Sequence, residues 1–506
     1  MDPCVRRDDG GSYFTIACSA KMSFNQPGDM MQKMTWILLL FFTLTLVHAQ
    51  PLDHLVDQTI EYSARHLENF TGYHADSTQH PKVTDEYGTW NMTGRSGWTS
   101  GFFAGCLWIL SDLTKESKWQ EPAERWTLDL APEQYDSGDH DIGFRIMCSF
   151  GQGLRLASRN EYKSVLLNAA ESLAKRYNAR IGCIRSWSWG SWNFPVIIDN
   201  MMNLELLMWS AAHGGPAEHR DMAISHAEKT LQSHVREDGS TFHVVDFDNN
   251  GNILSQETRQ GYADSSTWSR GQAWGLYGYT MMVRYTRDQQ FLDTAIMMAD
   301  YFISRLPADS IPFYDFDDPA IPRVPKDASA AAIACAALYE LSEYAGNPKY
   351  LGAARNILRS LMTRYLSEGT LYESILRRAC QWKGDIERGA IYADYYFLEA
   401  LQREQAVATT RIASTPRGPN AFVLGQNYPN PFNTRTTLPI TLDKSMHIKV
   451  SVCSVLGQEL EVLLDREMAA GSYHVPWSAA GYPTGSYLIR VETPQRVNVI
   501  KSLFIK

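Results

Sequence analysis

Two aspartates in this sequence stand where a carboxyl could do acid–base work. Asp199 follows Trp192-Asn-Phe-Pro-Val-Ile-Ile198 and precedes Asn200-Met-Met-Asn-Leu-Glu-Leu-Leu207. A carboxyl enclosed by apolar side chains loses hydration of its charged form, so its pKa rises and it can stay protonated near neutrality, as a general acid must. The same position has a plainer explanation, because Asp directly before a helical run is a favoured N-cap. On sequence the two readings stand level. Asn200 and Asn203 either hold that carboxyl or a ligand hydroxyl, or they satisfy backbone groups.

Asp141 lies in Gly138-Asp-His-Asp-Ile-Gly-Phe144, again at the start of an apolar helix. Capping accounts for Asp141 alone but not for Asp139, His140 and Asp141 together, which are too polar for an unpaired core. No Glu or His follows at four-residue spacing to complete a metal site. A third cluster is Gln260-Gly-Tyr-Ala-Asp-Ser-Ser-Thr-Trp-Ser-Arg-Gly-Gln-Ala-Trp274. Arg270 and Trp274 fall one helical turn apart on a shared face. Arg offers a fork for a carboxylate and Trp a plate for a ring; the alternative is an Arg held by local acids and a Trp in the core. His243 can reach the same mouth from a neighbouring hairpin.

The elements that position these residues are mostly helical. Apolar residues recur at helical spacing over 53–70, 98–113, 118–129, 141–157, 161–178, 199–213, 217–235, 268–286, 289–305, 326–346, 348–365 and 388–404. Short joins such as Gly214-Gly-Pro216 and Gly346-Asn-Pro348 carry stop-and-start chemistry. Twelve helices joined as hairpins suggest a closed double ring, six inside six. Helices 199–213, 268–286 and 326–346 are apolar on nearly every face, as inner helices must be. One insert breaks the pattern: Thr241–Phe247 alternates, Asn249-Asn-Gly251 turns, and Ile253-Leu254 returns, which predicts a β-hairpin at a pocket rim.

A chain of 506 residues, 44% hydrophobic, can bury a large core in more than one domain. A net charge of −9 argues against a nucleic-acid partner. Aromatics at 12% suit sugar binding but also suit cores. The eight cysteines contain no Cys-x-x-Cys pair and no zinc spacing, and Cys106, Cys148 and Cys335 read as buried thiols.

Both ends differ from the middle. Lys33, the apolar run Trp36–Val47 and Val47-His48-Ala49 have the layout of a secretory signal cleaved before Gln50, so residues 1–49 read as leader and signal. The catalytic domain is expected over 50–405 and a linker over 406–420. From 421 to 506, short alternating runs at 448–452, 472–475, 487–491 and 500–505 predict a small all-β sandwich.

Leu424-Gly-Gln-Asn-Tyr-Pro-Asn-Pro-Phe-Asn433, Val455-Leu-Gly-Gln458 and Gly485-Ser-Tyr487 resemble the C-terminal sorting domain of the type IX secretion system. That resemblance implies a partner in the secretion machinery and a protein secreted from, or held on the surface of, a Gram-negative bacterium, with no membrane span in its mature form.

The helical region resembles glycoside hydrolase family 88, the unsaturated glucuronyl hydrolases, through Trp98-Thr-Ser-Gly-Phe-Phe103, His140–Phe144, Ile198–Asn203, Ser269–Trp274, Pro325–Ala332 and Ala393-Asp-Tyr395. The resemblance implies an all-α (α/α)6 toroid that acts on unsaturated uronate-containing oligosaccharides with no metal or other cofactor. It assigns catalysis to Asp199, as acid then base, and Asp141, as an ionised charge stabiliser. It places Trp98, His140, His243, Gln260, Arg270, Trp274 and Tyr395 at the substrate. Ala328 departs from the expected Lys-Asp-Ser-Ser-Ala pattern. An unsaturated rhamnogalacturonyl hydrolase and a non-catalytic surface glycan-binding protein are the competing readings.

Overall fold

Alternate helices along the chain differ in how much of their surface is apolar, and that difference sorts them into two rings. The computed structural model describes residues 50–505 apart from 74–78, 386–387, 415–421, 425–426, 428, 443, 455–456 and 495–496. The expected signal over 1–49, residues 415–420 of the expected linker, Cys4 and Cys18 therefore lie outside the described residues, and residues 406–414 of that linker are helical instead. Two compact units are present, divided between Arg403 and Glu404.

The first unit contains α1 (Leu52–Tyr73), α2 (Ser100–Thr114), α3 (Gln120–Asp129), α4 (Ile142–Ile146 continued by Gln152–Ala157), α5 (Lys163–Ala174), α6 (Asn200–Ala212), α7 (Glu218–His234), α8 (Ser269–Thr286), α9 (Gln289–Ser304), α10 (Ala328–Ala345), α11 (Pro348–Ser360) and α12 (Ile391–Ser414). Helices α2, α6, α8 and α10 are buried along most of their length. Their odd-numbered partners bury one stripe each, as helices between a core and water do. The ring closes through α12: Phe102 of α2 packs on Tyr395 and Tyr396 at 5.4 and 6.1 Å, and Trp274 and Tyr277 of α8 pack on Tyr396 at 5.3 Å. The arrangement is the (α/α)6 toroid that the helical spacing predicted.

Two details depart from the sequence reading. The helix expected over 141–157 contains a π-helical turn at Met147–Gly151. The last helix runs to Ser414, beyond the end of its apolar pattern at Leu401; Ala, Gln, Glu and Arg there are good helix formers. Close approach of inner helices rests on glycine. A Cβ on Gly101 would stand 2.3 Å from the Arg145 carbonyl oxygen, and one on Gly143 2.7 Å from the Asn203 Cα. The second contact brings the first turn of α4, which follows Asp141, against α6, which follows Asp199.

Irregular strands form the rim. Val244–Phe247 and Ile253–Glu257 make the expected hairpin, and Pro195–Ile197 adds a third strand that leads directly to Asp199. His80–Thr84 and Trp90–Thr93 form a second hairpin.

The second unit is a two-sheet β-structure. One sheet orders Glu459–Met468, Met446–Cys453, Gly485–Glu492 and Val497–Phe504; the other orders Gly471–Ser478, Arg435–Leu442 and Phe422–Leu424. Both contribute to one core that includes Leu438, Ile440, Val450, Trp477, Ile489 and Phe504. Two long strands escaped the sequence reading. Pro439 interrupts Arg435–Leu442, and among the described residues Phe422–Leu424 pairs only as far as Ile440, so no ladder bond there needs an N–H from Pro439. Glu459–Met468 is an edge strand rich in exposed charge, which defends the edge and hides the alternation.

Candidate active site

Asp141 and Asp199 both occupy helix N-cap positions, and neither accepts a capping hydrogen bond. Their backbones are already helical, with φ of −71° and −55°, which turns each carboxyl away from the helix N–H groups that a cap would satisfy. Capping, which explained Asp199 equally well on sequence, therefore does not explain it in the fold. Both carboxyls instead line one cavity of about 470 Å³, together with Trp98, His140, His243, Gln260 and Arg270.

Asp199 is enclosed. Its side chain is 14% exposed, and Oδ2 is buried without a hydrogen-bond partner. Burial pushes its pKa up to about 7, opposed by the Arg270 cation and reinforced by Asp141. The Asp199 carboxyl is thus poised to hold a proton near neutrality.

A histidine faces each aspartate. His243 Nδ1 accepts the Arg259 backbone N–H at 3.2 Å, which leaves the proton on Nε2, 3.8 Å from Asp199 Oδ2. Burial drives this imidazole down to about 3, with Arg270 and Arg259 adding to the shift, so it is neutral. His140 repeats the pattern: Asn203 Nδ2 lies 3.4 Å from its Nδ1, and its Nε2 is 3.5 Å from Asp141 Oδ1. In this pair burial pushes the carboxyl up and the imidazole down. Asp139, itself a carboxylate, pushes the Asp141 carboxyl up further, a direction that runs against the ionised form expected from the sequence.

The polar triple is resolved by an arginine. Arg145, buried in α4, donates to Asp136 Oδ2 at 2.6 Å, to Asp139 Oδ1 at 3.3 Å and to the Ser96 carbonyl at 2.7 Å. Asp139 Oδ1 also accepts the Asp141 N–H at 2.9 Å. One guanidinium therefore ties the loop carrying Trp98 to the loop carrying Asp141. Asn200 and Asn203 serve the scaffold: Asn200 donates to the Ile184 carbonyl at 2.8 Å, and Asn203 Oδ1 accepts the Phe144 N–H at 2.9 Å.

Arg270 is held from several sides. Its Nη1 donates to Cys380 O at 2.9 Å, to Tyr392 Oη at 3.0 Å and to Ser329 Oγ at 3.2 Å, and lies 3.6 Å from Asp327 Oδ2. Asp327 caps α10 through Ser329. Ala328 is fully buried, so the departure in that segment stands outside the cavity. Gln260 donates to the Gln381 carbonyl at 3.0 Å.

Two expected residues do not reach the cavity. Trp274 is 1% exposed and packs on Phe144 and Tyr396 at 5.2 and 5.3 Å. Tyr395 is buried, and its hydroxyl accepts from Gln152. Helical phase put Arg270 and Trp274 on one face, but the aromatic ring at the toroid's centre claims the tryptophan. Sequence reasoning missed the rim residues Lys82, Trp187, Trp189, Arg259 and Trp382. Trp187 and Trp189 stack at 4.8 Å, and the Arg259 guanidinium lies 4.4 Å over Trp189. Three tryptophans in Trp187-Ser-Trp-Gly-Ser-Trp192, a Ser/Gly-rich loop with no core periodicity, were the available signal. Among the described residues no cluster of three or more His, Cys, Asp or Glu could hold a metal ion, and no helix is long and apolar enough to cross a membrane. The six described cysteines are buried and none of them forms a disulfide.

Residues 426–506 match the model of the secretion system C-terminal sorting domain. The helical unit is similar to an unsaturated glucuronyl hydrolase of Formosa agariphila, 41% identical over 319 residues that span 61% of this chain and 80% of the relative. An unsaturated chondroitin disaccharide hydrolase of Streptococcus pneumoniae is 30% identical, over 69% of this chain and 91% of its own length. Among solved structures, an unsaturated glucuronyl hydrolase specific for heparin aligns with a TM-score of 0.68 at 37% identity, covering 71% of this chain and 98% of that one.

Proposed function

This chain belongs to the unsaturated glucuronyl hydrolases of glycoside hydrolase family 88, and from that premise we propose that it removes the 4,5-unsaturated glucuronate from lyase-cut oligosaccharides with Asp199 as its acid. The observation that carries the assignment is the unpartnered, buried Oδ2 of a helix-start carboxyl that makes no cap bond.

The substrate is a vinyl ether whose C4=C5 bond is conjugated to the carboxylate. Asp199 gives its proton to C4, and the electron pair of the double bond forms the new C–H bond. Positive charge develops at C5, shared by the ring oxygen. The Asp199 carboxylate then takes a proton from a water whose oxygen bonds to C5. The hemiketal opens to a C5 ketone, leaving a hemiacetal at C1 that collapses to an aldehyde and releases the neighbouring sugar as an alcohol. One positioned acid–base group contributes about 10²–10⁴-fold.

The neutral His243 Nε2–H stands ready to hold the carboxylate once it forms. Arg270 offers positive charge toward the substrate carboxylate while Asp327 and Tyr392 keep it in place. Asp141, whose carboxyl burial and Asp139 push up, holds a sugar hydroxyl by hydrogen bonds. Trp98 and the Trp187–Trp189 stack supply ring faces for sugars.

The C-terminal unit is a type IX sorting domain, so the enzyme is exported to the surface or surroundings of a Gram-negative cell. The test follows ultraviolet absorbance of the double bond on unsaturated chondroitin and heparin disaccharides. Wild type removes it; an Asp199→Asn variant that does so at the wild-type rate would overturn the assignment.

A further inference from the structure

Arg236 lies just beyond the end of α7 and does not line the cavity, yet its guanidinium holds both chain segments that deliver residues to Asp199. On one side are residues 240–242, which lead directly to His243. Nη1 donates to Ser240 Oγ at 3.0 Å and to the Thr241 carbonyl at 3.1 Å. The flat face of the guanidinium lies on Phe242, with Cζ 3.8 Å from the ring centroid. On the other side are residues 265–267, which lead to Trp268 and Arg270. Nη2 donates to the Ser265 and Ser266 carbonyls at 3.1 and 3.3 Å, and Nη1 to Thr267 Oγ1 at 3.2 Å.

Both segments enter the site within a few residues of this grip. The His243 carbonyl accepts the N–H of Ile198, the residue before Asp199, at 3.0 Å. The His243 ring centroid is 4.5 Å from that of Trp268, and Arg270 Cζ is 4.6 Å from the same indole. The spacing between the imidazole that faces Asp199 and the Arg270 guanidinium is thus set where the two segments are joined, and Arg236 is a joint between them. The Ser240 hydroxyl donates to Asp238 Oδ1 at 2.6 Å, which turns its oxygen to accept from Arg236. A rigid planar fork can hold two backbones and a ring together, whereas the point charge of a lysine cannot.

Resting on the activity proposed above, we propose that Arg236 is a positioning residue for the reaction: it touches no substrate, and it fixes His243 relative to Arg270 beside Asp199.

The test measures kcat, KM and Tm for wild type, Arg236→Lys, His243→Ala and the double variant, well below their melting temperatures. The substrate is whichever unsaturated disaccharide, of chondroitin or of heparin, wild type cleaves faster. Arg236→Lys is expected to lower kcat about tenfold and to raise KM severalfold, because small misplacements of supporting groups are costly in rate. In the His243→Ala background the same change should lower kcat less than about twofold, since the ring it positions is gone. A scaffold role alone would lower Tm and give equal losses of kcat in both backgrounds. Thr267→Val removes one acceptor and keeps the guanidinium, so it serves if Arg236→Lys does not fold; a loss of about threefold in kcat is expected, again confined to the His243 background. Unchanged kcat and KM in these variants, or equal losses with and without His243, would overturn the proposal. Failure of wild type to cleave either disaccharide would instead overturn the activity itself.

Discussion

His243 directs Nε2 at Asp199 Oδ2 from 3.8 Å, and no hydrogen bond yet takes up that oxygen. The distance is too long for a bond in the free enzyme and short enough for a small movement to make one when the carboxyl becomes ionised. A neutral donor beside an uncommitted acid is what a proton-donating carboxyl needs, since a cationic imidazole there would strip the proton away.

Asp199→Asn should therefore lower kcat by about 10²–10⁴-fold with KM little changed. It should also stabilise the fold at high pH. The folded pKa of about 7 exceeds the ordinary carboxylate value, so the native state binds this proton more tightly. Stability from this group falls as pH rises through that window, and Asn carries no such cost. Thermal melting should show a higher Tm for the variant above pH ~8 and no difference near pH ~4. An unchanged Tm at both would show that Asp199 is not desolvated.

The pH profile of kcat/KM reports the free enzyme, in which the proposed mechanism requires Asp199 to be protonated. Its basic limb should fall as pH rises through about 7. A limb near the ordinary carboxylate value would mean another group supplies the proton.

Arg145→Met should destabilise the protein by about 3 kcal/mol in urea unfolding, because it strands acids that the guanidinium now pairs. The same variant should lower kcat more than a remote destabilising change, since the Trp98 and Asp141 loops lose their shared tie. A loss of stability with kcat intact would confine Arg145 to the scaffold.

Trp274 and Trp189 should separate cleanly. Trp274→Ala removes a buried ring and should cost about 3–5 kcal/mol. Trp189→Ala, at a half-exposed position, should leave Tm unchanged and raise KM severalfold. The reverse pattern would restore the sugar-plate role expected of Trp274.

Sequence marked out the twelve helices and three of those buried on nearly every face, though not Ser100–Thr114, because helical periodicity is a local record of which face meets the core. It also located both aspartates, the hairpin bearing His243 and the all-β character of the end, each announced by short-range residue types. It could not decide whether Asp199 caps a helix or serves a pocket, since both uses place Asp at the same spot; only backbone already in helical conformation and an oxygen left unpaired do so. Nor could it assign Trp274 to the core and Trp187, Trp189, Lys82 and Trp382 to the rim, because their neighbours come from helices and loops far apart in the chain. Helical phase fixes which residues share a face. What that face meets is settled only when the ring closes and Tyr396 packs against Trp274, leaving the rim loops to line the cavity.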